Sequence, residues 1–303
     1  MDPLTDPELQ LPTRKITDGP RVSIIMPTFR RSHQIRESIR SLLVGEHQDF
    51  ELLVRDDGSG SDGTAEAVAA AAASDSRLRY HRNPTNLGIA RNLNEGIRAS
   101  QGDFISVCHD HDLYRPGFLK AMVAVLDRNP SALYVHCASE IISQEGEHRG
   151  SNIHDFAELT SGPEWLRFML SRPGCPVCAL TVVRRSAHES YGLYNPADGF
   201  IADVDMWMRL SMYGDVAYVR EPHLQLRERE RDHHAGSNFV ALRRTLARIH
   251  GRYIPVAYSG AQVAKARLRL CYWCNQIMML GAAHRLKRWL VGDELQRVPV
   301  EGA

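Results

Sequence analysis

The sequence contains no run of about 18 apolar residues, so none of its segments is predicted to cross a bilayer. It has no short repeat, which excludes collagen-like and coiled-coil proteins. Charge of one sign is not in excess either: the net charge is +1 over 303 residues, and we predict no nucleic-acid partner. The N-terminus is acidic and proline-rich and lacks the apolar core of a secretory signal. We therefore predict a cytoplasmic protein.

Cysteine is scarce, with six in the chain, as expected for reduced thiols in a cytoplasmic protein. Two Cys-x-x-Cys pairs, Cys175/Cys178 and Cys271/Cys274, raise the question of a zinc site. The pairs are about 95 residues apart and the second lies in an apolar run, unlike the compact spacing of zinc ribbons. We therefore predict buried structural thiols and no zinc.

The near-zero net charge hides a basic C-terminal segment. Residues 241–303 carry a charge balance of +8, and the other residues carry −7. Such a segment can bind an anionic membrane surface, a phosphorylated substrate or an acidic partner, or can be a solvated helix face. Its apolar positions do not form one stripe, since Leu268 and Leu270 lie about 200° apart on a helix. This breadth favours packing on the rest of the chain or on a second copy over peripheral membrane contact.

Strands and helices alternate through the first half of the chain. Short apolar or β-branched runs predict strands at 21–27, 50–54, 78–81 and 104–108, and helical spacing predicts helices at 32–43, 64–73 and 88–99. The alternation predicts βαβ units and a parallel α/β sheet. The second half is less regular, with strands at 180–183 and 216–219, helices at 204–212, 239–251 and 261–291, and a charged loop at 227–238.

Polar residues follow three of the predicted strands, at 28–30, 56–59 and 109–112. Ligands of parallel α/β sheets bind beyond the carboxyl ends of the strands. Three such clusters at three strand ends therefore predict a binding site at this edge of the sheet.

Two of these features have specific expected partners. Asp56 and Asp57 are adjacent and point to opposite sides of an extended chain, so each needs its own partner. One is expected to accept from a base N–H or a ribose hydroxyl and the other to cap the loop or a helix, unless both lie in a solvated turn. Asn86-Leu-Gly88 is predicted to open a helix whose first turn presents Arg91 to a phosphate or carboxylate, or to solvent.

The segment from Cys108 to Asp112 offers two imidazoles and two carboxylates within four residues. Such groups suit Mn²⁺ or Mg²⁺ bridging a diphosphate. If the preceding strand extends through this segment, Asp110 and Asp112 lie on the same side of it.

A series of motifs in this order resembles family 2 of the inverting glycosyltransferases. They are Arg21–Pro27 with the following Thr-Phe-Arg, Asp-Asp-Gly-Ser at 56–59, Asn-x-Gly with Ala-Arg-Asn at 86–92, the acidic cluster with Leu-Tyr-x-Pro at 113–116, Ala-Asp-Val-Asp-Met-Trp-Met-Arg-Leu at 202–210, and His-His-Ala-Gly-Ser at 233–237. The resemblance implies a GT-A fold, with a mostly parallel Rossmann-like central sheet flanked by helices. It gives a flexible tail at 1–19, the transferase domain at 20–240 (nucleotide-sugar half 20–115, acceptor half 116–240) and a helical C-terminal extension at 241–303.

The same resemblance implies a nucleotide-sugar donor, commonly a UDP- or dTDP-sugar, a hydroxyl acceptor and a divalent cation. Asp203 matches the catalytic base, at the start of a helix with Trp207 and Leu210 on its buried side. The positions that match donor binding are Pro27, Thr28, Arg30, Asp56 or Asp57, Gly88, Arg91, Asp110, His111 and Asp112. Those that match the cation are Asp110, His111 and Asp112, with His233 or His234 as a further ligand.

The sequence departs from the family pattern at the cation cluster. The register with Leu-Tyr-x-Pro puts His109 and His111 where the family has aspartates. Either His111 ligates in place of a carboxylate, or Asp110 and Asp112 do so, or metal dependence is weaker. Ala202 replaces a glutamate of the family beside the base.

A second interpretation of the sequence is a GT-A module that binds a nucleotide or a partner without turnover. A nucleotidyltransferase is disfavoured because no Gly-rich, Lys-containing motif follows the first strand.

Overall fold

A computed structural model describes residues 5–13, 19–72, 75–172, 174–177, 181–228 and 239–291. The chain divides into two compact units, Met1–Glu230 and Arg231–Ala303. The first unit is a mixed α/β structure, and the second, where described, is helical. The predicted α/β class and the helical C-terminal extension are both confirmed.

Among the described residues, the first unit is built on one sheet of ten strands. Its strands are β1 (Val22–Thr28), β2 (Phe50–Asp56), β3 (Leu78–Arg82), β4 (Phe104–Val107), β5 (Leu113–Tyr114), β6 (Ala132–Ile142), β7 (His148–Asn152), β8 (Leu159–Thr160), β9 (Thr181–Arg184) and β10 (Asp215–Arg227). The spatial order is β3-β2-β1-β4-β9-β6-β10-β5, with β7 on β6 and β8 on β10. In the part of this unit that the structure describes, seven α-helices flank the sheet: α1 (Ile35–Leu43), α2 (Thr64–Ala72), α3 (Ile89–Ala99), α4 (Phe118–Arg128), α5 (Gly162–Leu170), α6 (Arg185–Tyr191) and α7 (Ala202–Leu210).

The first four strands run parallel, as the alternating pattern predicts. Every residue of β1 and β2 is buried, because helices cover both faces of a parallel sheet and leave no solvent face. Pro27 does not end β1, which continues to Thr28 opposite Asp56. The fixed φ of proline is compatible with extended backbone near a strand end.

The second half of the sheet is mixed in direction. β9 lies antiparallel between β4 and β6, and β10 is parallel to β6. The carboxyl ends of β6 and β10 therefore lie at the same edge as those of β1, β2 and β4. The strand predicted at 216–219 is part of β10, which continues to Arg227 after a register shift between Val219 and Leu224. The pairing of Leu224–Arg227 with β6 carries the strand to the first residue of the charged loop predicted at 227–238, and residues 229–238 of that loop lie outside the described residues.

Residues 5–13 do not form the loose tail expected for 1–19. Leu9 is 2% exposed and Leu11 is also buried. The backbone carbonyl of Leu9 accepts from the N–H of Leu193 at 2.8 Å, and the carbonyl of Glu8 accepts from Arg98. Two apolar side chains in a polar, proline-rich segment are enough to hold it on the domain.

The second unit contains α8 (Phe239–Ala257) and α9 (Ala261–Val291), near the predicted bounds. The rings of His250 and Trp273 meet edge-on at 6.0 Å, and Cys274 Sγ lies 4.0 Å from the carbonyl oxygen of Arg243, so the two helices pack together. Cys271 is exposed, which corrects the prediction that it is a buried thiol, because it lies on the side of α9 away from Trp273. None of the described helices is both long and apolar enough to cross a membrane.

Candidate active site

The carboxyl ends of β1, β2 and β4 are joined by backbone hydrogen bonds. The N–H of Asp57 donates to the carbonyl of Thr28 at 2.9 Å, and the N–H of Cys108 donates to that of Ile25 at 2.9 Å. The three predicted polar clusters therefore follow three adjacent strand ends. Here the sequence pattern and the topology agree.

Asp56 is completely buried at the end of β2. Its carboxylate accepts from the backbone N–H of Ser59 at 2.8 Å, from the hydroxyl of Tyr80 at 2.5 Å and from Nε of Arg82 at 2.9 Å. Burial favours a raised pKa for Asp56, but these three donors outweigh it and lower the pKa below the ordinary value. Burial and the bond to Asp56 raise the pKa of Tyr80 to about 12, so this phenol stays a donor.

Asp57 has separate partners, as its adjacent position requires. Its carboxylate accepts from Nδ2 of Asn83 at 3.0 Å and from the backbone N–H groups of Leu87 and Gly88 at 2.8 and 2.9 Å. Gly88 has φ of 81°, a conformation that favours glycine, and it is the N-cap residue of α3. Asp57 thus holds the start of α3, and Arg91 lies exposed in its first turn.

Pro27, Thr28 and Arg30 lie at or just after the carboxyl end of β1, on one side of the candidate site. Thr28 is buried, and its hydroxyl has no hydrogen-bond partner within the part of the chain that the structure describes. Arg30 has φ of 55°, an uncommon left-handed conformation for a non-glycine residue, and its N–H donates to Ser59 Oγ at 2.8 Å. Its guanidinium lies over the ring of Phe29, 5.0 Å from the centroid. A strained residue and an unused buried hydroxyl at one strand end are typical of a binding site.

His109, His111 and Asp112 converge after β4. One ligand atom from each lies within 4.8 Å of the others. Nδ1 of His109 is 3.0 Å from Oδ2 of Asp112, and the two imidazole rings stack at 5.2 Å. β4 ends at Val107, so the condition under which an extended strand would align Asp110 with Asp112 is not met, and a turn, not a strand, brings this group together.

Two polar contacts support this triad. Asp110, one of the predicted ligands, is not a member of it, and its carboxylate accepts from Nδ1 of His111 at 2.9 Å. Asp112 Oδ1 accepts from the backbone N–H of Arg227 at 2.9 Å. Burial favours a raised pKa for Asp112, but the bond from His109, the imidazole charges and the Arg227 N–H together lower it. The predicted ligands His233 and His234 lie outside the described residues.

Asp203 is the second residue of α7, whose N-cap residue is Ile201 and has no side-chain capping bond. Its position is therefore not explained as an N-cap. Trp207 and Leu210 are fully buried, as predicted. Burial and the nearby charge of Asp203 raise the pKa of Tyr194, so the phenol lies within electrostatic range of this carboxylate.

The backbone of Tyr194 is clamped by a side chain of α3. Nδ2 of Asn94 donates to the Tyr194 carbonyl at 2.8 Å, and Oδ1 accepts from its N–H at 3.0 Å. The same helix therefore carries Arg91 at its start and fixes the segment that approaches Asp203.

Sequence reasoning missed Tyr80, Arg82 and Arg227 as parts of this region. Tyr80 and Arg82 alternate on β3, and Arg82 is in register with Asp56, so a parallel pairing of β2 with β3 could have indicated them. Arg227 gave no such signal, because its role depends on the unexpected length of β10.

Comparison with known proteins places this chain in a family. The model of glycosyl transferase family 2 matches residues 23–192, which span β1 to the end of α6. The chain belongs to glycosyltransferase family 2. The resemblance seen in the sequence motifs and the prediction of a transferase are thereby confirmed.

Relatives of known sequence agree with this assignment. The chain is 30% identical over 218 residues to "Putative glycosyltransferase EpsE" of Bacillus subtilis, covering 70% of this chain and 75% of that one. It is 27% identical over 192 residues to an uncharacterized glycosyltransferase of Rickettsia felis, covering 63% of this chain but 31% of that longer protein.

Solved structures confirm the GT-A fold of this family 2 member. S. aureus TarS 1–349 in complex with UDP-GlcNAc has a TM-score of 0.66 and 16% identity over 83% of this chain and 71% of that one. The mannosyltransferase PcManGT of Pyrobaculum calidifontis, in complex with GDP-Man and Mn²⁺, has a TM-score of 0.60 and 18% identity over 96% and 81%. At these identities the likeness concerns the fold.

Proposed function

We propose that this chain is an inverting glycosyltransferase that moves a sugar from a nucleotide-sugar donor to a hydroxyl group of an acceptor in a single displacement. The observation that carries the proposal is the convergence of His109, His111 and Asp112 beside the strand ends occupied by Thr28 and Asp56. Family membership and the donor complexes of TarS and PcManGT support it. UDP- or dTDP-sugars are the proposed donors.

The nucleoside is proposed to lie over the ends of β1 and β2. The Thr28 hydroxyl, which has no hydrogen-bond partner in the described chain, offers a buried hydrogen-bonding group there. Pro27 is proposed to form part of the wall of this nucleoside pocket. Asp56 and Asp57 each accept three hydrogen bonds from the protein, which leaves about one of the roughly four acceptor positions of a carboxylate for a base or ribose. Arg30 supplies positive charge near the same pocket.

Gly88 and Arg91 are proposed to face the donor at the start of α3. The N-terminus of a helix attracts anionic groups through its backbone N–H groups and its dipole. Arg91 is exposed in the first turn and can reach a phosphate without giving up a buried contact. The proposed role of Arg91 in donor binding rests on this exposed position in the first turn of α3.

A divalent cation is proposed at the triad His109, His111 and Asp112. Two ligands of one ion cannot be farther apart than twice the metal–ligand distance, about 4.3 Å for nitrogen and oxygen donors. Nε2 of His111 and Oδ2 of Asp112 are 4.0 Å apart, so these two residues fit one ion. The ligand atoms of the whole triad lie within 4.8 Å of one another, and the triad would close slightly around the ion. Mixed imidazole and carboxylate donors suit Mn²⁺ better than Mg²⁺. When bound, the cation would neutralise charge on the departing diphosphate. His233 or His234 would add a ligand after β10.

Asp203 is proposed as the general base. As the acceptor oxygen attacks the anomeric carbon, its proton passes to the Asp203 carboxylate, and the bond from that carbon to the diphosphate breaks on the opposite face. The acceptor hydroxyl becomes acidic only as the new bond forms, so a carboxylate is a sufficient base. The buried side chains of Trp207 and Leu210 fix the helix that carries it.

The test is turnover with a panel of UDP-, dTDP- and GDP-sugars in the presence of Mn²⁺, measured as released nucleoside diphosphate. Proton NMR of the first sugar product, with water as the acceptor, gives its anomeric configuration. Release from at least one donor, with inverted configuration, is the expected result. Retained configuration would refute the single displacement. Saturable nucleotide binding with no release from any donor would instead support the alternative of a binding module.

A further inference from the structure

Helix α9 presents three large apolar side chains to solvent on one side. Leu268, Tyr272 and Met279 are 72%, 60% and 72% exposed. At about 100° per residue they lie within a sector of about 40°, so they form one narrow stripe along the helix. We call these three residues the α9 stripe.

The opposite side of α9 is a separate apolar face. Leu270, Trp273 and Cys274 are buried, and Trp273 and Cys274 meet His250 and Arg243 of α8. Leu268 and Leu270, which lie too far apart on the helix to belong to one stripe, therefore belong to two different faces. One packs within the helical unit, and the other is the α9 stripe.

The charge around the stripe has one sign. Residues 233–292 contain ten Lys and Arg and no Asp or Glu. Arg267 and Arg269 lie about 100° to either side of Leu268, and Lys265 is one turn away. Arg267 and Lys265 are exposed. These cations lie at the Leu268 end of the stripe, since residues 270–284 contain no Lys or Arg. A narrow apolar strip with cations beside it is typical of a helix that lies in a membrane interface.

We propose that the α9 stripe docks on the surface of a bilayer that contains anionic phospholipids, with Leu268, Tyr272 and Met279 entering the headgroup region. Negatively charged headgroups complement the flanking cations, each of which contributes attraction near the surface. A second copy that docked through the same stripe is a poorer occupant, because such a symmetric contact would bring an equally cationic, acid-free segment against this one. The helix lies along the interface and does not span it.

The test is sedimentation of the full chain with vesicles of phosphatidylcholine alone and of phosphatidylcholine with 30% phosphatidylglycerol. The expected result is binding to the anionic vesicles only, weakened at high salt because screening shortens the range of the attraction. The triple variant Leu268→Gln/Tyr272→Gln/Met279→Gln changes exposed positions only, so the fold is kept, and its binding should fall at least about tenfold. Val44→Gln, at an exposed valine of the first unit, is the matched control and should bind like the unaltered protein.

The charge component is tested separately. Arg267→Gln/Arg269→Gln should weaken binding about fivefold for each cation removed, whereas Arg36→Gln/Arg40→Gln, at exposed arginines of α1, should not. Absence of binding to anionic vesicles, or equal binding by the triple variant, would overturn the proposal. A third outcome would also overturn it. If the unaltered protein binds no vesicles and is a dimer, and the triple variant is a monomer by sedimentation velocity, a second copy of the chain covers the stripe.

Discussion

The carboxylate of Asp110 lies 2.9 Å from Nδ1 of His111 and accepts a hydrogen bond from its N–H. This bond leaves Nε2 of His111 as the lone-pair nitrogen, on the side where Oδ2 of Asp112 lies 4.0 Å away. A carboxylate that orients a histidine in this way fixes the tautomer that a cation needs. Asp110 is thus a positioning residue in the proposed metal site.

Asp110→Asn is expected to weaken Mn²⁺ binding about 10- to 100-fold. The neutral amide is a weaker hydrogen-bond acceptor than the carboxylate, so it no longer fixes the orientation and tautomer of His111. Electron paramagnetic resonance of free Mn²⁺ during a titration measures this without any donor substrate. Asp155→Asn, at an exposed aspartate of the same unit, is the control. Equal affinities in the two variants would show that Asp110 has no part in the site.

The identity of this cluster was readable from the sequence, but its geometry was not. Adjacent Asp and His residues after an apolar strand indicate a site whatever their exact arrangement. Whether Asp110 or His109 joins Asp112 depends on where β4 ends and how the chain turns. Periodicity does not fix the last residue of a strand, and here a shift of a few residues puts His109, which is not among the predicted ligands, in the place expected for Asp110.

Asp203→Asn is expected to lower the rate of sugar transfer by about two orders of magnitude or more, because the amide cannot accept the acceptor proton. Donor affinity and melting temperature should change little, since the side chain is not the N-cap of α7. Glu164→Gln, at an exposed acid in the first turn of α5, controls for loss of charge at a helix start. Near-normal turnover with a confirmed donor would remove Asp203 from the mechanism and leave the fold and donor site intact.

Asp56→Asn should destabilise the first unit by about 2–3 kcal/mol at neutral pH, because Tyr80 and Arg82 lose a buried charged acceptor. The folded-state pKa of Asp56 is lowered, so its stabilisation is complete above the unfolded value of 3.8 and is lost as pH falls through the folded value. The difference between the two proteins should therefore shrink below about pH 3.8. Urea unfolding at several pH values measures it, with Asp49→Asn as an exposed control. A difference that persists undiminished below that pH would contradict this account.

The sequence predicts the first half of the fold well, because apolar runs such as that of β1 are short, continuous and separated by amphipathic helices. It fails where polar residues are paired in the sheet. β10 continues to Arg227 because Leu224–Arg227 pair with β6 after the register shift that follows Val219, which no local pattern reveals. The docking of Leu9 is similarly hidden, since it depends on a contact with Leu193, far along the chain.

A buried histidine in the second half of the sheet supplies the last prediction. His136 of β6 is 1% exposed among the rings of Phe156, Trp165 and Tyr218, which lie 6.0, 5.1 and 4.9 Å from its own. Neither ring nitrogen has a hydrogen-bond partner in the described chain. Burial, with a smaller contribution from His154, lowers its pKa to about 3, so the ring is neutral in the folded protein.

Because the unfolded pKa is 6.5, acid protonates His136 in the unfolded chain first, and stability falls as pH drops below 6.5 until about pH 3. The loss is about 1.4 kcal/mol per pH unit, or about 2 kcal/mol at pH 5. His136→Phe keeps an aromatic ring in this apolar surrounding and removes the proton site. Its free energy of unfolding, measured in urea at pH 7.5 and pH 5, should therefore fall about 2 kcal/mol less than that of the unaltered protein. His33→Gln, at an exposed histidine, should show the full loss. If His136→Phe loses as much stability as that control, the ring of His136 accepts a proton in the folded state.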